Sequence, residues 1–343
     1  MVIELLDMEP PRDDEVLVRI VASGICRTDI DFCDDWYQGP DPLVLGHEGA
    51  GVVEQIGKSV TSICPGDRVV LSYQSCGQCL PCRYGRPAAC EHFWDANFGF
   101  RRLDGSNALQ RSGVRGHFFG QSSFATYALA TERNLVKAPD DLPLELLAPL
   151  GCGLQTGAGT VINSLAVKKG ASIAVFGTGA VGIASVMAAR IVGAGPIIGV
   201  DIVPGRLALA LELGATHGIN RHREDIATRI ADITGSGVDY VVETTGNPEM
   251  RRMAVEILNP HGTMALLNGE PSATLPGGRR ILGIIQGDAV PQRFIPYLID
   301  LYRSGIFPFN RLVTFYKFEE INQAIADAKR GETIKPVLRI SPA

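Results

Sequence analysis

The 343-residue chain contains no block of five or more basic residues, and its 32 Lys+Arg are outnumbered by 37 Asp+Glu, for a formal charge of −5. A surface for nucleic acid or anionic membrane is therefore not expected. Aromatics are scarce, at 7%, and charged residues make up 20% against 45% hydrophobic, the balance of a globular chain with a substantial core. One uncharged stretch, Gly170 to Ala189 (GASIAVFGTGAVGIASVMAA), approaches the ~20 residues of a membrane span. Three glycines within six positions break it, and it reads better as strand, turn and helix. The opening residues, MVIELLDMEPPRDDEV, carry acids where a secretory signal needs an apolar run, so a cytoplasmic location is expected. Without export, the eight cysteines are read as metal ligands rather than disulfides.

The first third alternates short apolar strands with Gly and Pro turns: EVLVRIVASGI, GAGVVEQIG and GDRVVLS. This predicts a partly open β-barrel domain over 1–153. Within it, 76–122 lacks periodicity and needs something other than a core to hold it. From residue 154 to 288, apolar runs at 172–177, 197–201, 239–244 and 263–268 alternate with helix-length segments, predicting a doubly wound parallel sheet. Residues 289–343 add two amphipathic helices and a strand, KPVLRI, and are expected to return to the first domain.

Gly177, Gly179 and Gly182 (GTGAVG) follow a predicted strand and precede a helix. In a dinucleotide fingerprint the first glycine allows the tight turn, the second lets backbone approach a pyrophosphate, and the third lets helix and strand pack closely. The next strand ends in Asp201, about 20 residues on, where a carboxylate accepts ribose hydroxyls and repels a 2′-phosphate; NAD is expected over NADP. Arg206 suits the adenosine end of such a ligand or, equally, a solvated helix start.

Cys76, Cys79, Cys82 and Cys90 are spaced CxxCxxC with seven residues before the last. Four thiolates in tetrahedral array suit Zn²⁺ and leave no open position, so a structural ion is expected. An iron–sulfur cluster is the competing reading, but such runs continue CxxxCP and this one does not. Cys26 in GICRTD, His47 in GHEGAG and Cys152 in LGCG are further metal candidates beside glycines; singly they also fit as small buried hydrophobes and a core histidine bonded to Glu48 or Asp29.

Six motifs occur in order: GICRTD, GHEGAGVVEQIG, PGDRVV, the CxxCxxC lobe, GCG and GTGAVG. In these the chain resembles the zinc-dependent medium-chain alcohol dehydrogenases from about Glu15 to its end. HFFGQSSFATYA, GDAVPQRFIPYLIDLY and IKPVLRI look like the aryl (benzyl-type) branch. The resemblance implies a GroES-like catalytic domain with an inserted Rossmann domain, two zincs per chain, NAD, and a small alcohol or aldehyde substrate. It implies that Cys26, His47 and Cys152 hold a catalytic zinc with one open position, that Glu48 ligates transiently, and that Asp29 bonds the other nitrogen of His47. Zinc then acts as a Lewis acid on the alcohol oxygen, and a hydride passes to the nicotinamide.

By the same resemblance Thr28 accepts the alcohol proton. The distal histidine of the liver-type enzymes is replaced by Asp31, so either Asp31 or water completes the relay, and a changed pH–rate profile is expected. Arg27 and Lys335 match pyrophosphate contacts; Thr156, Val181, Thr244 and Thr245 match residues lining nicotinamide and ribose. Trp36, Tyr37, Phe93, Trp94 and Phe98 would wall an aryl or allylic alcohol site, or form lobe core. Family members carry a further hairpin before Val16, where only fifteen residues stand here, so the start is expected to be shortened or misplaced. A homodimer or homotetramer is implied. The rival readings are a polyol or secondary-alcohol dehydrogenase, against which Cys152 argues, and a silent dinucleotide-binding protein, against which the intact metal set argues.

Overall fold

The structure, a computed structural model, describes residues 1–37, 39, 41–111, 113–267 and 273–342, without the side chains of residues 35 and 36. The expected ring of Trp36 thus lies outside the described residues, as does the last residue of the expected 263–268 strand. The chain divides into two compact units: Met1–Cys152, Val290–Tyr297 and Asn310–Ala343 form one, and Gly153–Ala289 with Leu298–Phe309 the other.

In the first unit the strands are β1 (Glu15–Gly24), β2 (Glu48–Ile56), β3 (Arg68–Leu71), β4 (Tyr127–Thr131) and β5 (Leu135–Lys137). Two strands from the chain's end, Val313–Lys317 and Lys335–Arg339, join the same sheet. β1 pairs antiparallel with β2 along its length, with β4 over Glu15–Arg19, and with the Lys335–Arg339 strand over Ala22–Gly24. Register shifts after Leu17 and Ile20 bend it, as a partly open barrel requires. Val16, Val18, Ile20, Val69, Leu71 and Leu135 fill the interior.

The second unit carries β6 (Ile173–Phe176), β7 (Ile197–Asp201), β8 (His217–Asn220), β9 (Val238–Glu243), β10 (Leu258–Leu266), β11 (Ala273–Thr274) and β12 (Arg280–Gly283); the two strands from the chain's end are β13 and β14. The sheet runs β11-β12-β10-β9-β6-β7-β8, parallel except for β11. Its order reverses at β6: β7 and β8 lie on one side, β9, β10 and β12 on the other. This is the Rossmann arrangement, in which ligands bind beyond the strand carboxyl ends at the reversal. The uncharged stretch is β6, the glycine turn and the helix Ala180–Ile191, whose residues from Gly182 to Ala189 are buried. Among the described residues no helix is long and apolar enough to cross a membrane. The predicted helix from Pro204 ends at Leu213, and Gly214 follows with φ +138, a conformation that favours glycine.

Candidate functional site

β1 runs into Cys26, which caps the short helix Arg27–Asp31, and its register with β2 puts Gly24 opposite Glu48, next to His47. A Cβ on Gly24 would come within 2.1 Å of Glu48 Oε2, so glycine there gives the carboxylate its place. Cys152 follows the turn Ala148–Gly151, which presses so close to β3 that a Cβ on Gly151 would stand 2.1 Å from the Leu71 carbonyl. The result is one buried group in which the ligand atoms of Cys26, His47, Glu48 and Cys152 all lie within 4.8 Å of one another.

Asp29 organises this group from behind. Its Oδ1 is 3.0 Å from His47 Nδ1 and accepts from the Gly46 N–H at 3.1 Å, while Oδ2 accepts from the Cys26 N–H at 2.9 Å. His47 is completely buried, with Nε2 turned inward and no hydrogen-bond partner. An orphaned buried ring nitrogen costs about 1–3 kcal/mol, and a cation accepting its lone pair removes that cost. The hydrogen bond from Cys152 pulls the Cys26 thiol well below its usual range, against burial, with His47 and Lys335 assisting. Burial works against charge on His47, while Asp29 and the Cys26 sulfur favour positive charge at the ring, a charge that a metal ion bound there would supply. Two thiols, one of them favouring thiolate, and an imidazole fixed through its other nitrogen fit a zinc ion with room for one more ligand.

Glu48 and Lys335 are both buried, and Lys335 Nζ donates to Glu48 Oε1 and Oε2, each at 2.9 Å, and to the Ile25 carbonyl at 3.1 Å. Lys335, expected as a pyrophosphate contact, therefore stands beside the metal candidates. Its three donors are already taken inside the first unit, because β14 pairs with β1 and brings residue 335 beside Glu48. Burial raises the Glu48 carboxyl and Lys335 opposes the rise. Arg27 is largely exposed and gives Nε to Asp31 Oδ1 at 2.6 Å. Burial raises the Asp31 pKa, with Arg27 opposing. Thr28 Oγ1 lies 3.8 Å from Cys26 Sγ.

The aromatic wall differs from the expected one. Phe119 stacks on the His47 ring, centroids 4.4 Å apart, and Phe118 meets it edge-on at 5.3 Å. Behind them lie Phe32, Phe98 and Phe100. Of the five rings expected, Phe98 joins this cluster, Trp94 touches it at Phe98 and Tyr37 touches its edge at Phe100. Phe93 is buried against Tyr73 and Trp94 as lobe core, and Trp94 is 56% exposed. Phe118 and Phe119, in HFFGQSSFATYA, are not among the expected rings. The local signal is adjacent aromatics before a glycine in a turn of left-handed backbone: φ is +62 at His117, +53 at Phe119, +64 at Gly120 and +53 at Ser122. Such angles cost about 1–3 kcal/mol each at non-glycine residues. Gln121 ties the turn down, donating to the His47 and Ser72 carbonyls and accepting from the Gly49 N–H.

In the lobe, the Sγ atoms of Cys76, Cys79, Cys82 and Cys90 also lie within 4.8 Å of one another. N–H groups of Cys76, Gln78 and Cys79 point at sulfur, at 3.3–3.5 Å. This is the closed four-sulfur arrangement the spacing predicted.

In the second unit, Gly177 has φ +87, and a Cβ there would meet Thr244 Oγ1 at 2.4 Å. A Cβ on Gly182 would collide with the Gly177 carbonyl at 1.8 Å, whereas one on Gly179 would meet nothing within 4 Å. The first and third glycines are thus needed by the fold and the second leaves an open cradle, as a bound pyrophosphate requires. Asp201 accepts from the Ile202 and Val203 N–H groups on Oδ1, and from the Thr178 N–H and hydroxyl on Oδ2. Arg206 Nε is buried without a partner. The hydroxyls of Thr244 and Thr245 donate to the Phe176 carbonyl and to Glu243, and Thr156 Oγ1 lies 3.5 Å from Gln286 Oε1. Val181 borders Gly157, where a Cβ would stand 2.1 Å from the Val181 carbonyl.

Residues 12–140 match the alcohol dehydrogenase GroES-like domain and residues 180–301 the zinc-binding dehydrogenase family. The chain is 46% identical to geraniol dehydrogenase of Castellaniella defragrans, over 98% of its own length and 94% of that protein's. Benzyl alcohol dehydrogenase from Acinetobacter calcoaceticus superposes with a TM-score of 0.93 at 47% identity, covering 98% of this chain and 94% of that one. An alcohol dehydrogenase zinc-binding domain protein from Burkholderia ambifaria gives 0.92 at 53%, with the same coverage. The chain belongs to the zinc-containing medium-chain alcohol dehydrogenases, with a GroES-like domain and a Rossmann domain.

Proposed function

We propose that the protein catalyses the reversible NAD-dependent oxidation of a primary aryl or allylic alcohol to its aldehyde. The observation that carries this is the buried Cys26–His47–Cys152 group, with the unpartnered His47 Nε2 facing inward and Phe119 stacked on the same imidazole. Relatives named for geraniol and benzyl alcohol support the allylic and aryl substrate class. In this reading Cys26, His47 and Cys152 hold the catalytic zinc, and Cys76, Cys79, Cys82 and Cys90 a structural one. Bound zinc supplies a Lewis acid that eases loss of the alcohol proton at neutral pH, and bound NAD supplies the hydride acceptor.

The chain's own part begins with Asp29, which fixes the tautomer and plane of His47 so that Nε2 faces the ion. Lys335 neutralises Glu48, holding its carboxylate beside the ligands without adding net negative charge; Glu48 is the transient ligand during exchange. Thr28 Oγ1 receives the alcohol proton, and Asp31 or water passes it on. The phenylalanine cluster excludes water and accepts an apolar, flat substrate. At the dinucleotide site the Gly179 cradle takes the pyrophosphate, Asp201 the ribose hydroxyls and Arg206 the adenosine end, while Thr156, Val181, Thr244 and Thr245 line the nicotinamide side. Family resemblance supports a cytoplasmic homo-oligomer.

The test is NADH production from benzyl alcohol, cinnamyl alcohol, ethanol and sorbitol on protein whose zinc has been counted. Two zincs per chain, with the aryl and allylic alcohols fastest, is the expected result. Sorbitol fastest would favour the polyol reading, and one zinc without turnover of any alcohol would leave a silent dinucleotide-binding protein.

A further inference from the structure

Thr178 occupies the position between Gly177 and Gly179, where the glycine fingerprint makes no demand on residue type, yet it is completely buried. Its backbone N–H donates to Asp201 Oδ2 at 2.6 Å and its hydroxyl donates to the same oxygen at 2.9 Å. With the Ile202 and Val203 N–H groups on Oδ1 at 2.7 and 2.9 Å, the carboxylate accepts four hydrogen bonds from its own chain. Three come from backbone and are available to any residue; the hydroxyl is the one bond that depends on side-chain identity. Asp201 keeps 8% exposure while Thr178 has none, so the threonine grips the carboxylate from its buried side.

Strand β7 is shaped for this grip. Gly199 lies in the middle of a fully buried strand, where glycine ordinarily weakens pairing. A Cβ there would meet Thr178 Cγ2 at 3.2 Å, so the glycine reserves the space that the threonine methyl fills. Thr178, Gly199 and Asp201 therefore act as one unit.

We propose that Thr178 is the positioning residue for Asp201, holding its carboxylate in the orientation that accepts a ribose diol and turns away a 2′-phosphate, and so sets the choice between the two nicotinamide dinucleotides. This rests on the NAD reading above. NADH and NADPH are titrated separately into zinc-loaded wild type, Thr178→Val and Thr178→Ser, with nucleotide fluorescence reporting Kd. Thr178→Val keeps the branched shape and loses the donor; its Kd for NADH should rise about three- to tenfold, the worth of one hydrogen bond. Its Kd for NADPH should stay within about twofold by the same reckoning, narrowing the preference. Thr178→Ser, which keeps the hydroxyl, should match wild type.

Gly199→Ala is the second variant, should Thr178→Val fail to fold; by crowding the methyl it should weaken NADH in the same direction. A purely structural role would lower the unfolding midpoint but weaken both nucleotides alike, and that result overturns the proposal. Wild-type affinity for NADH in Thr178→Val overturns it too, leaving the NAD reading intact. Wild type that binds neither nucleotide overturns both.

Discussion

The lobe's four thiols come from fifteen consecutive residues, between helical turns that bury little, and Leu80, Tyr84 and Trp94 stand 60%, 74% and 56% exposed around them. The other group draws on residues 26, 47, 48 and 152, brought together by strand register and sunk among completely buried side chains. In the proposed reading the first site takes much of its order from an ion, whereas the second is built by the strands around it. In zinc-finger peptides a structural zinc contributes about 10–16 kcal/mol of apparent binding energy, which is folding energy. The barrel around Cys26 has its own core and carries an orphaned imidazole nitrogen instead. Closed coordination over a thin core marks an ion that holds structure, and a preformed buried group with one position spare marks an ion that reacts.

Single ligand exchanges should separate the two most sharply. Cys152→Ser should leave one zinc per chain and lower alcohol oxidation by at least about 10³-fold, since the Lewis acid is lost. Its unfolding midpoint should move only a few degrees. Cys90→Ser should also leave one zinc, but lower the midpoint by roughly 10 °C or more, a loss of several kcal/mol, with turnover per folded molecule within about threefold of wild type. Metal analysis, thermal melts and active-site-normalised rates decide it. If Cys152→Ser melts as early as Cys90→Ser and still turns over, the assignment is reversed.

A smaller change probes the support beneath the buried group. Asp29→Asn keeps shape and removes the charge that fixes His47. Zinc affinity at that site should fall by about 10- to 100-fold, as when such a hydrogen-bonding partner of a metal ligand is changed elsewhere. The lobe's affinity should not move. Chelator competition monitored by zinc release should show one fast and one unchanged phase; simultaneous loss of both ions would show that Asp29 supports the whole unit instead.

How far each region was legible follows the same division. The CxxCxxC spacing is local, so the lobe cluster could be read from residue order alone, and the apolar runs at 172–177 and 197–201 announced β6 and β7 within a residue. Asp201 and the three glycines were legible because a turn and one strand place them. The role of Lys335 was not, because it depends on β14 pairing with β1 across more than 300 residues. Phe119 was equally hidden, since its place over His47 comes from a left-handed φ that no propensity assigns to phenylalanine. Long-range register and backbone strain decide the buried site, and neither is written in spacing.

The turn carrying Phe118 and Phe119 begins at His117, which gives the buried site an acid sensitivity that spacing does not reveal. Burial and the Arg102 guanidinium push the His117 pKa down to about 4 from its ordinary 6.5, with Glu15 opposing. Its Nε2 already accepts the Ala108 N–H, so a second proton would break that bond. As pH falls through 6.5 the unfolded chain takes up a proton that the folded chain refuses until about 4. Stability from this group is therefore complete above 6.5, declines with acidification, and is lost below 4. Asparagine tolerates the left-handed backbone of residue 117 and does not titrate. Between pH 7.5 and 5, wild type should lose about 2 kcal/mol more stability than His117→Asn, by urea unfolding of the zinc-loaded proteins. Acid release of zinc is common to both proteins, so the difference isolates the histidine. Equal slopes would show that this ring takes its proton without disturbing the turn over His47.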